Sequence, residues 1–361
     1  MKYRDEYRDP ELADRLIRAI RQRSRTPVRL MEVCGTHTVA IFRAGIKTLL
    51  PETITLISGP GCPVCVTAQE DIDRAIALCR EPGVTVATFG DLMRVPGSES
   101  SLHQEKARGA DVRMVYASLD ALELARRLPH RRVVMLGIGF ETTVPTIAAA
   151  VRQAKQEGLT NFLVLSAHKL LPPAMEVLLS AAEVRIDGFL CPGHVTTIIG
   201  TEPYQDVVKR HGKPCVVSGF EPVDILQSIH MLICQLEDGR REVEIQYTRA
   251  VHPQGNPRAR ALMDEVFEPA DSAWRGLGKI PGSGLKLRPA YAAHGAENHF
   301  ALTVPPGREM PGCRCGEVLR GACTPLDCPL FRQRCTPTHP YGPCMVSTEG
   351  TCAAYFKYHT A

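Results

Sequence analysis

The sequence has neither a strong excess of charge of one sign nor a long apolar run. Its 43 basic and 39 acidic residues leave a net charge of +4, and the basic residues form no single block, which gives no support for binding nucleic acid or an anionic membrane. The N-terminus, MKYRDEYRDPELADRLIRAIRQRSR, is charged throughout and lacks the apolar stretch of a signal peptide. Runs such as VVMLGIGF are far below the roughly 20 residues of a membrane-spanning helix. We therefore expect a cytoplasmic protein whose partners include neither nucleic acid nor a membrane.

Cysteine, in contrast, is abundant. The chain has 14 cysteines, and without an export signal they argue against a disulfide scaffold and for metal binding or thiol chemistry. Seven of them lie within the last 49 residues, at positions 313, 315, 323, 328, 335, 344 and 352.

Short apolar segments of β-type composition alternate with helical patterns after Pro27. Such alternation predicts parallel strands joined by crossover helices. The eight strand candidates form two groups of four, divided near residues 120–130, and their sequences are VRLMEVC, ITLISG, VTVATFG, VRMVYAS, RVVMLGIG, FLVLSA, DGFLC and CVVSGF.

We predict an α/β protein with two similar, doubly wound parallel-sheet domains, at residues 1–125 and 126–250. Beyond about residue 250 the alternation gives way to Gly, Pro and Cys, which predicts a third, loop-rich domain over 251–361. This domain has little apolar pattern of its own, so we expect a bound metal cluster to supply much of its folding energy.

Unusual residues follow several predicted strands, where ligands bind in open α/β sheets. In GPGCPVC the glycines allow a tight turn, and Thr67 with Glu70 predicts a capping box for the next helix. Cys65 would then lie near a helix N-terminus, which favours its thiolate form. On this evidence alone, Cys62 and Cys65 form a redox dithiol, half of a zinc site, or a ligand pair for another metal.

Three further motifs carry candidate functional side chains. CGTHT places Cys34 and His37 just after a strand, which suits a nucleophile with its base or a metal ligand with a proton-handling neighbour. GFETT contributes Glu141, and CPGHV contributes Cys191 and His194. The glycines around GFETT lack the spacing of a dinucleotide-binding loop.

The C-terminal cysteines are widely spaced and separated by prolines, without the paired Cys-x-x-Cys knuckles of zinc ribbons. This spacing favours an iron–sulfur cluster, with structural zinc as the alternative. We select Cys315, Cys328, Cys335 and Cys352 as cluster ligands, which leaves Cys313, Cys323 and Cys344 as packed thiols or a redox pair.

The motifs CGTHT, GPGCPVC, GFETT and CPGHV, with the tail CTPTHPYGPCMVSTEGTC, closely resemble the HypD family, which acts in the maturation of [NiFe] hydrogenases. The resemblance spans essentially the whole chain and implies a [4Fe-4S] cluster in the third domain. It also implies a scaffold that works with the chaperone HypC and the cyanide-delivering HypE to assemble iron carrying cyanide and carbon monoxide, as an Fe(CN)2CO intermediate delivered to the hydrogenase large subunit. Cys323 is extra to the family pattern.

By this likeness Cys34, Cys62 and Cys65 are associated with the iron, and His37 and Glu141 are its neighbouring proton-handling groups. A metallocentre assembly factor is thus expected rather than a conventional metabolic enzyme. The residues leave two alternatives: an iron–sulfur-dependent thiol–disulfide oxidoreductase, which would not need Cys34, and a zinc-stabilised interaction protein.

Overall fold

The computed structural model describes residues 5–181 and 184–359. All eight predicted strands are present, together with three that were not predicted. The strands are β1 (Val28–Glu32), β2 (Ile54–Ser58), β3 (Val84–Thr88), β4 (Val112–Met114), β5 (Arg132–Gly137), β6 (Phe162–Ser166), β7 (Gly188–Pro192), β8 (Cys215–Ser218), β9 (Val243–Ile245), β10 (Phe267–Trp274) and β11 (Gly278–Leu287).

Helices connect these strands, and four short ones lie in the described part of the C-terminal region. They are α1 (Pro10–Arg23), α2 (Gly35–Arg43), α3 (Ile46–Leu49), α4 (Pro63–Val66), α5 (Gln69–Arg80), α6 (Leu102–Ala107), α7 (Ser118–Arg127), α8 (Val144–Gln156), α9 (Leu171–Ser180), α10 (Gly193–Ile199), α11 (Glu202–His211), α12 (Pro222–Glu237), α13 (Pro257–Val266), α14 (Cys315–Arg320), α15 (Pro343–Val346) and α16 (Thr351–Tyr358). Among the described residues, no helix combines the length and apolar character needed to cross a bilayer.

Two parallel sheets build the α/β part, as expected. The first has the order β2-β1-β7-β8-β9 and the second the order β4-β3-β5-β6. When strands are counted as the chain enters each sheet, these orders are 2-1-3-4-5 and 2-1-3-4. Both sheets therefore change winding direction next to their first strand, between β1 and β7 and between β3 and β5, and ligands bind at such points.

The strands are divided between the sheets differently from the predicted halves. The chain leaves the first sheet after β2, builds the whole second sheet, and returns at β7. A boundary at 125/126 is therefore wrong, because it would separate β3 and β4 from β5, which pairs with β3 from Val84↔Arg132 to Ala87↔Met135. The alternation predicts each strand but carries no information about which distant strand becomes its neighbour.

The C-terminal region contains more regular structure than the predicted loops. β10 and β11 form a long antiparallel hairpin in the region that was predicted to be loop-rich. β11 begins at Gly278 and contains two further glycines, Gly282 and Gly284, which hide its strand pattern. After the hairpin, the segment from 301 to 359 has only helices of eight residues or fewer.

Candidate functional site

Cys34 lies where β1 ends and α2 begins, at the winding change of the first sheet. It is 2% exposed, and the neighbouring Gly35 donates its backbone N–H to the carbonyl oxygen of Gly61 over 2.9 Å. A Cβ atom on Gly61 would lie 2.2 Å from the Cys34 nitrogen, so only glycine allows this approach. The CGTHT and GPGCPVC loops are therefore in direct backbone contact.

The thiol of Cys34 faces His194, the histidine of CPGHV, which follows the adjacent strand β7. The distance from Cys34 Sγ to His194 Nε2 is 3.7 Å. Burial raises the pKa of Cys34 to about 12, with backbone N–H groups of His37 and Thr36 acting in the opposite direction. Burial also lowers the pKa of His194 to about 4. Thiol and imidazole are therefore both neutral near pH 7, and the imidazole is placed to accept the thiol proton.

His37 has a different position from the one predicted. Its Nε2 donates to the carbonyl oxygen of Gly219 over 2.9 Å, so its ring is engaged away from the Cys34 thiol. The ring stacks on Phe220 with centroids 4.9 Å apart, and Phe220 also stacks on His194 at 4.9 Å. Burial lowers the pKa of His37 to about 4. His37 thus supports, through Phe220, the imidazole of His194, a candidate from the sequence that was not predicted to lie next to Cys34.

Cys62 and Cys65 lie on the short helix α4, which follows β2. Cys62 is the N-cap residue, and its sulfur accepts the backbone N–H of Cys65 over 3.3 Å. The predicted Thr67–Glu70 capping box is absent, because the Thr67 hydroxyl donates to the Pro63 carbonyl within α4 and α5 starts after Ala68. Cys65 does lie near a helix N-terminus, but the helix is α4 and not the predicted α5.

The thiols of this pair differ in electrostatic environment. Burial raises the pKa of Cys62 well above its usual value. Burial acts in the same direction on Cys65, but hydrogen bonds from Cys344 and Cys62 and the positive charge of Arg275 lower the pKa of Cys65 to about 6. Cys65 is therefore the thiolate of the pair at neutral pH, and all these thiols are free in the structure.

The tail segment from Pro343 to Gly350 covers both loops. Ser347 is within hydrogen-bonding reach of the Cys62 thiol, and Glu349 accepts a hydrogen bond from the Thr36 hydroxyl over 2.6 Å. Cys344 bonds Cys65 on one side and lies 2.9 Å from the sulfur of Cys315 on the other. A chain of sulfur contacts thus connects the GPGCPVC loop with the cysteine-rich tail.

Six of the seven tail cysteines line one pocket, which we call the cysteine pocket. Cys323 lies elsewhere, beside Arg29 and Thr55, in agreement with its lack of an assigned role. All four predicted cluster ligands line the pocket, and they are joined there by two cysteines that the prediction left aside; the six are Cys313, Cys315, Cys328, Cys335, Cys344 and Cys352.

No group of three or more His, Cys, Asp or Glu side chains in the described part of the chain is close enough to hold one metal ion. The three predicted iron thiols accordingly form two neighbouring units, Cys34 with His194 and Cys62 with Cys65. The cysteine pocket suits a cluster better than a single ion, since a cluster takes one thiolate at each of several irons and its ligands surround a volume.

Glu141 follows β5 in the second sheet and is 2% exposed. Its Oε1 accepts the backbone N–H of Leu171 over 2.9 Å, whereas Oε2 has no hydrogen-bond partner among the described residues. Burial raises its pKa to about 7. The adjacent Phe140 packs in the same apolar cluster as Cys62 and Cys65, so Glu141 lies near the site without bonding its thiols.

These features define an α/β protein with a buried thiol site at the strand ends of its first sheet. A sequence model described as "HypD: Hydrogenase formation hypA family" matches residues 11–359. The hydrogenase maturation factor HypD2 of Bradyrhizobium diazoefficiens is 49% identical over 99% of this chain and 97% of its own length. HypD of Rhizobium leguminosarum bv. viciae is 50% identical over 99% and 96% of the two chains, and HypD of Escherichia coli (strain K12) is 46% identical over 99% and 98%. The chain belongs to the HypD family of hydrogenase maturation factors.

Proposed function

We propose that this protein is a cytoplasmic scaffold on which the Fe(CN)2CO unit of [NiFe] hydrogenases is assembled. The iron is its cargo, and its proposed ligands are Cys34 on one side and the Cys62–Cys65 pair on the other, while cyanide and carbon monoxide are added. A HypC-type chaperone and a HypE-type cyanide donor are the proposed partners, and the chaperone carries the product to the hydrogenase large subunit. The backbone contact between Gly35 and Gly61, which joins the two thiol loops, is the observation that carries this proposal.

The thiol site suits low-spin iron because soft thiolates are strong ligands for it. Burial of Cys34, Cys62 and Cys65 excludes water from the bound metal. Metal binding requires thiolates and therefore releases protons. His194, 3.7 Å from the Cys34 sulfur, accepts the proton of Cys34, and Cys65, with its pKa of about 6, needs no such base.

The resident cofactor in this proposal is a [4Fe-4S] cluster in the cysteine pocket, where thiolates are its usual ligands. When bound, it supplies one-electron redox chemistry. The predicted ligands are Cys315, Cys328, Cys335 and Cys352. The contact of Cys315 with Cys344 favours Cys313 in place of Cys315, because a thiol engaged with Cys344 is less available to the cluster.

Infrared spectroscopy tests the scaffold role. The protein, purified without oxygen together with its chaperone, is expected to show cyanide and carbonyl stretching bands, and Cys34→Ala is expected to lose them. Cys191→Ala is a matched control, since Cys191 is also buried in the first sheet, within strand β7. Bands that survive in Cys34→Ala would contradict the assignment.

A thiol–disulfide oxidoreductase is the second candidate, favoured by the low pKa of Cys65 and its contact with Cys344. In that reaction Cys62 and Cys65 would transfer two electrons and two protons to a substrate disulfide and become a disulfide themselves. Turnover of a disulfide substrate that is unchanged in Cys34→Ala would support this candidate over the scaffold.

A further inference from the structure

A second pocket, of about 460 Å³, lies beside the cysteine pocket, and the proposed assembly function assigns it no ligand. Its volume is within the usual range for small-molecule sites. Polar side chains converge on it from α5, from the tip of the β10–β11 hairpin and from the segment before α14. We call it the Arg275 pocket.

Arg275 provides the fixed charge of this pocket. It is 5% exposed, and its backbone N–H donates to the Val66 carbonyl over 2.8 Å. Its guanidinium donates to Gln69 over 2.9 Å and to Glu309 over 3.1 Å, but Nε has no hydrogen-bond partner among the described residues. A buried guanidinium with an unused donor is costly unless a further acceptor reaches it.

Glu309 is the acidic side chain that contacts Arg275 in this pocket. Its side chain is 46% exposed, and it belongs to a segment without helix or strand over 301–310. Of the described lining residues it is the only acidic one, whereas the exposed Arg308 adds a second positive charge. Displacement of Glu309 would leave the Arg275 guanidinium open to another acceptor in a pocket that Arg308 also lines.

We propose that the Arg275 pocket binds a small organic carboxylate, whose carboxyl group replaces that of Glu309 on Arg275. The existing contact demonstrates that a carboxylate fits this guanidinium. The pocket shares Cys313, Cys315 and Gly342 with the cysteine pocket. A carboxylate bound there would therefore lie next to two of the tail thiols.

The single tryptophan provides the readout, because Trp274 is buried and directly precedes Arg275. Succinate is titrated into the full-length protein at constant ionic strength, with chloride and phosphate as comparison anions. We expect a saturable change in Trp274 fluorescence with succinate. Glu309→Gln is expected to tighten binding by about tenfold, because it removes the internal competitor, and Arg308→Gln to weaken it by about tenfold.

Arg127→Gln is the matched control, since Arg127 is highly exposed on α7, outside the pocket lining. Arg308 is exposed as well, so neither change threatens folding. A change in fluorescence that does not saturate, or an affinity that is the same in Glu309→Gln and wild type, would overturn the proposal. Tighter binding of phosphate than of succinate would overturn the assignment of the ligand as a carboxylate.

Discussion

The strand-end thiol site and the cysteine pocket obtain their geometry in different ways. Cys34 and Cys62 follow five-residue buried strands, and the close approach of Gly61 to Cys34 fixes their loops. The tail beyond residue 300 has only short helices and a small apolar cluster of its own, formed by Phe331, Cys335, Met345 and Tyr355. We therefore expect the first site to be preorganised by the fold and the second to depend on the group that its sulfurs bind.

The largest effect is expected when a cysteine that binds the cluster is removed from the tail. Cys335→Ser removes a ligand in both proposed sets, so we expect the cluster to be lost. The rate of proteolysis of the tail should then rise by a factor of about 100 or more, while the two sheets stay protected. Iron content, visible absorption and limited proteolysis measure this. Cys323→Ser, in the same tail but outside the cysteine pocket, is the control and should resemble wild type.

The same measurements separate the two ligand sets. If Cys313 is the ligand, Cys313→Ser loses the cluster and Cys315→Ser keeps it; the reverse result restores the predicted set. A tail that stays protease-resistant without iron would contradict the comparison between the two sites.

The strand-end site was largely predictable because the information is local. A strand followed by Cys-Gly or Gly-Cys-Pro places a thiol at a sheet edge whatever the neighbouring strand is. Its partner was not predictable, because His194 reaches Cys34 through the pairing of β1 with β7, about 160 residues apart in the chain. For the same reason the domain boundary was wrong, since the second sheet is inserted between β2 and β7.

In the tail, composition predicts a cysteine site but not its arrangement. The choice of Cys315 over Cys313 rested on spacing, and the two lie only two residues apart on the same pocket. The contacts of Cys344 with Cys65 and Cys315 join residues that are 279 and 29 positions apart, and no local pattern encodes them.

The next largest effect is expected from Glu141→Gln, which tests whether water reaches the buried carboxyl near the first site. Its pKa is raised to about 7, so its contribution to stability is present below the ordinary value of 4.5 and is lost as the pH rises through 7. The loss amounts to about 3 kcal/mol between pH 4.5 and pH 8. Glu141→Gln should abolish this loss, as measured by urea unfolding at both pH values. Glu70→Gln, at an exposed position on α5, is the control and should show the same loss of stability as wild type. If the pH dependence is unchanged in Glu141→Gln, water must reach the carboxyl of Glu141.

Gly61→Ala perturbs the contact between the loops and is expected to cost about 2 kcal/mol of unfolding free energy. The added Cβ would meet the Cys34 backbone, which cannot move without shifting β1. Gly90→Ala is the matched control: it also follows a strand of a parallel sheet, but its added Cβ would meet only the flexible, half-exposed Met114 side chain. Equal stability of the two variants in urea unfolding would mean that the Gly61 contact is not a constraint.

The smallest effect is expected at Phe220, which stacks with both His37 and His194. Phe220→Leu keeps an apolar side chain but removes the flat ring, so it should cost only about 1 kcal/mol of stability. Without the ring, His194 loses the surface that orients it toward Cys34. We therefore expect the rate of alkylation of the metal-free Cys34 thiol to change several-fold relative to wild type. The half-buried Cys234, on α12, is an internal reference. Reactivity of the tail cysteines should not change, because their arrangement does not depend on this stack. If Phe220→Leu leaves Cys34 unchanged, packing around Gly61 alone orients the site, and the histidine pair has no positioning role.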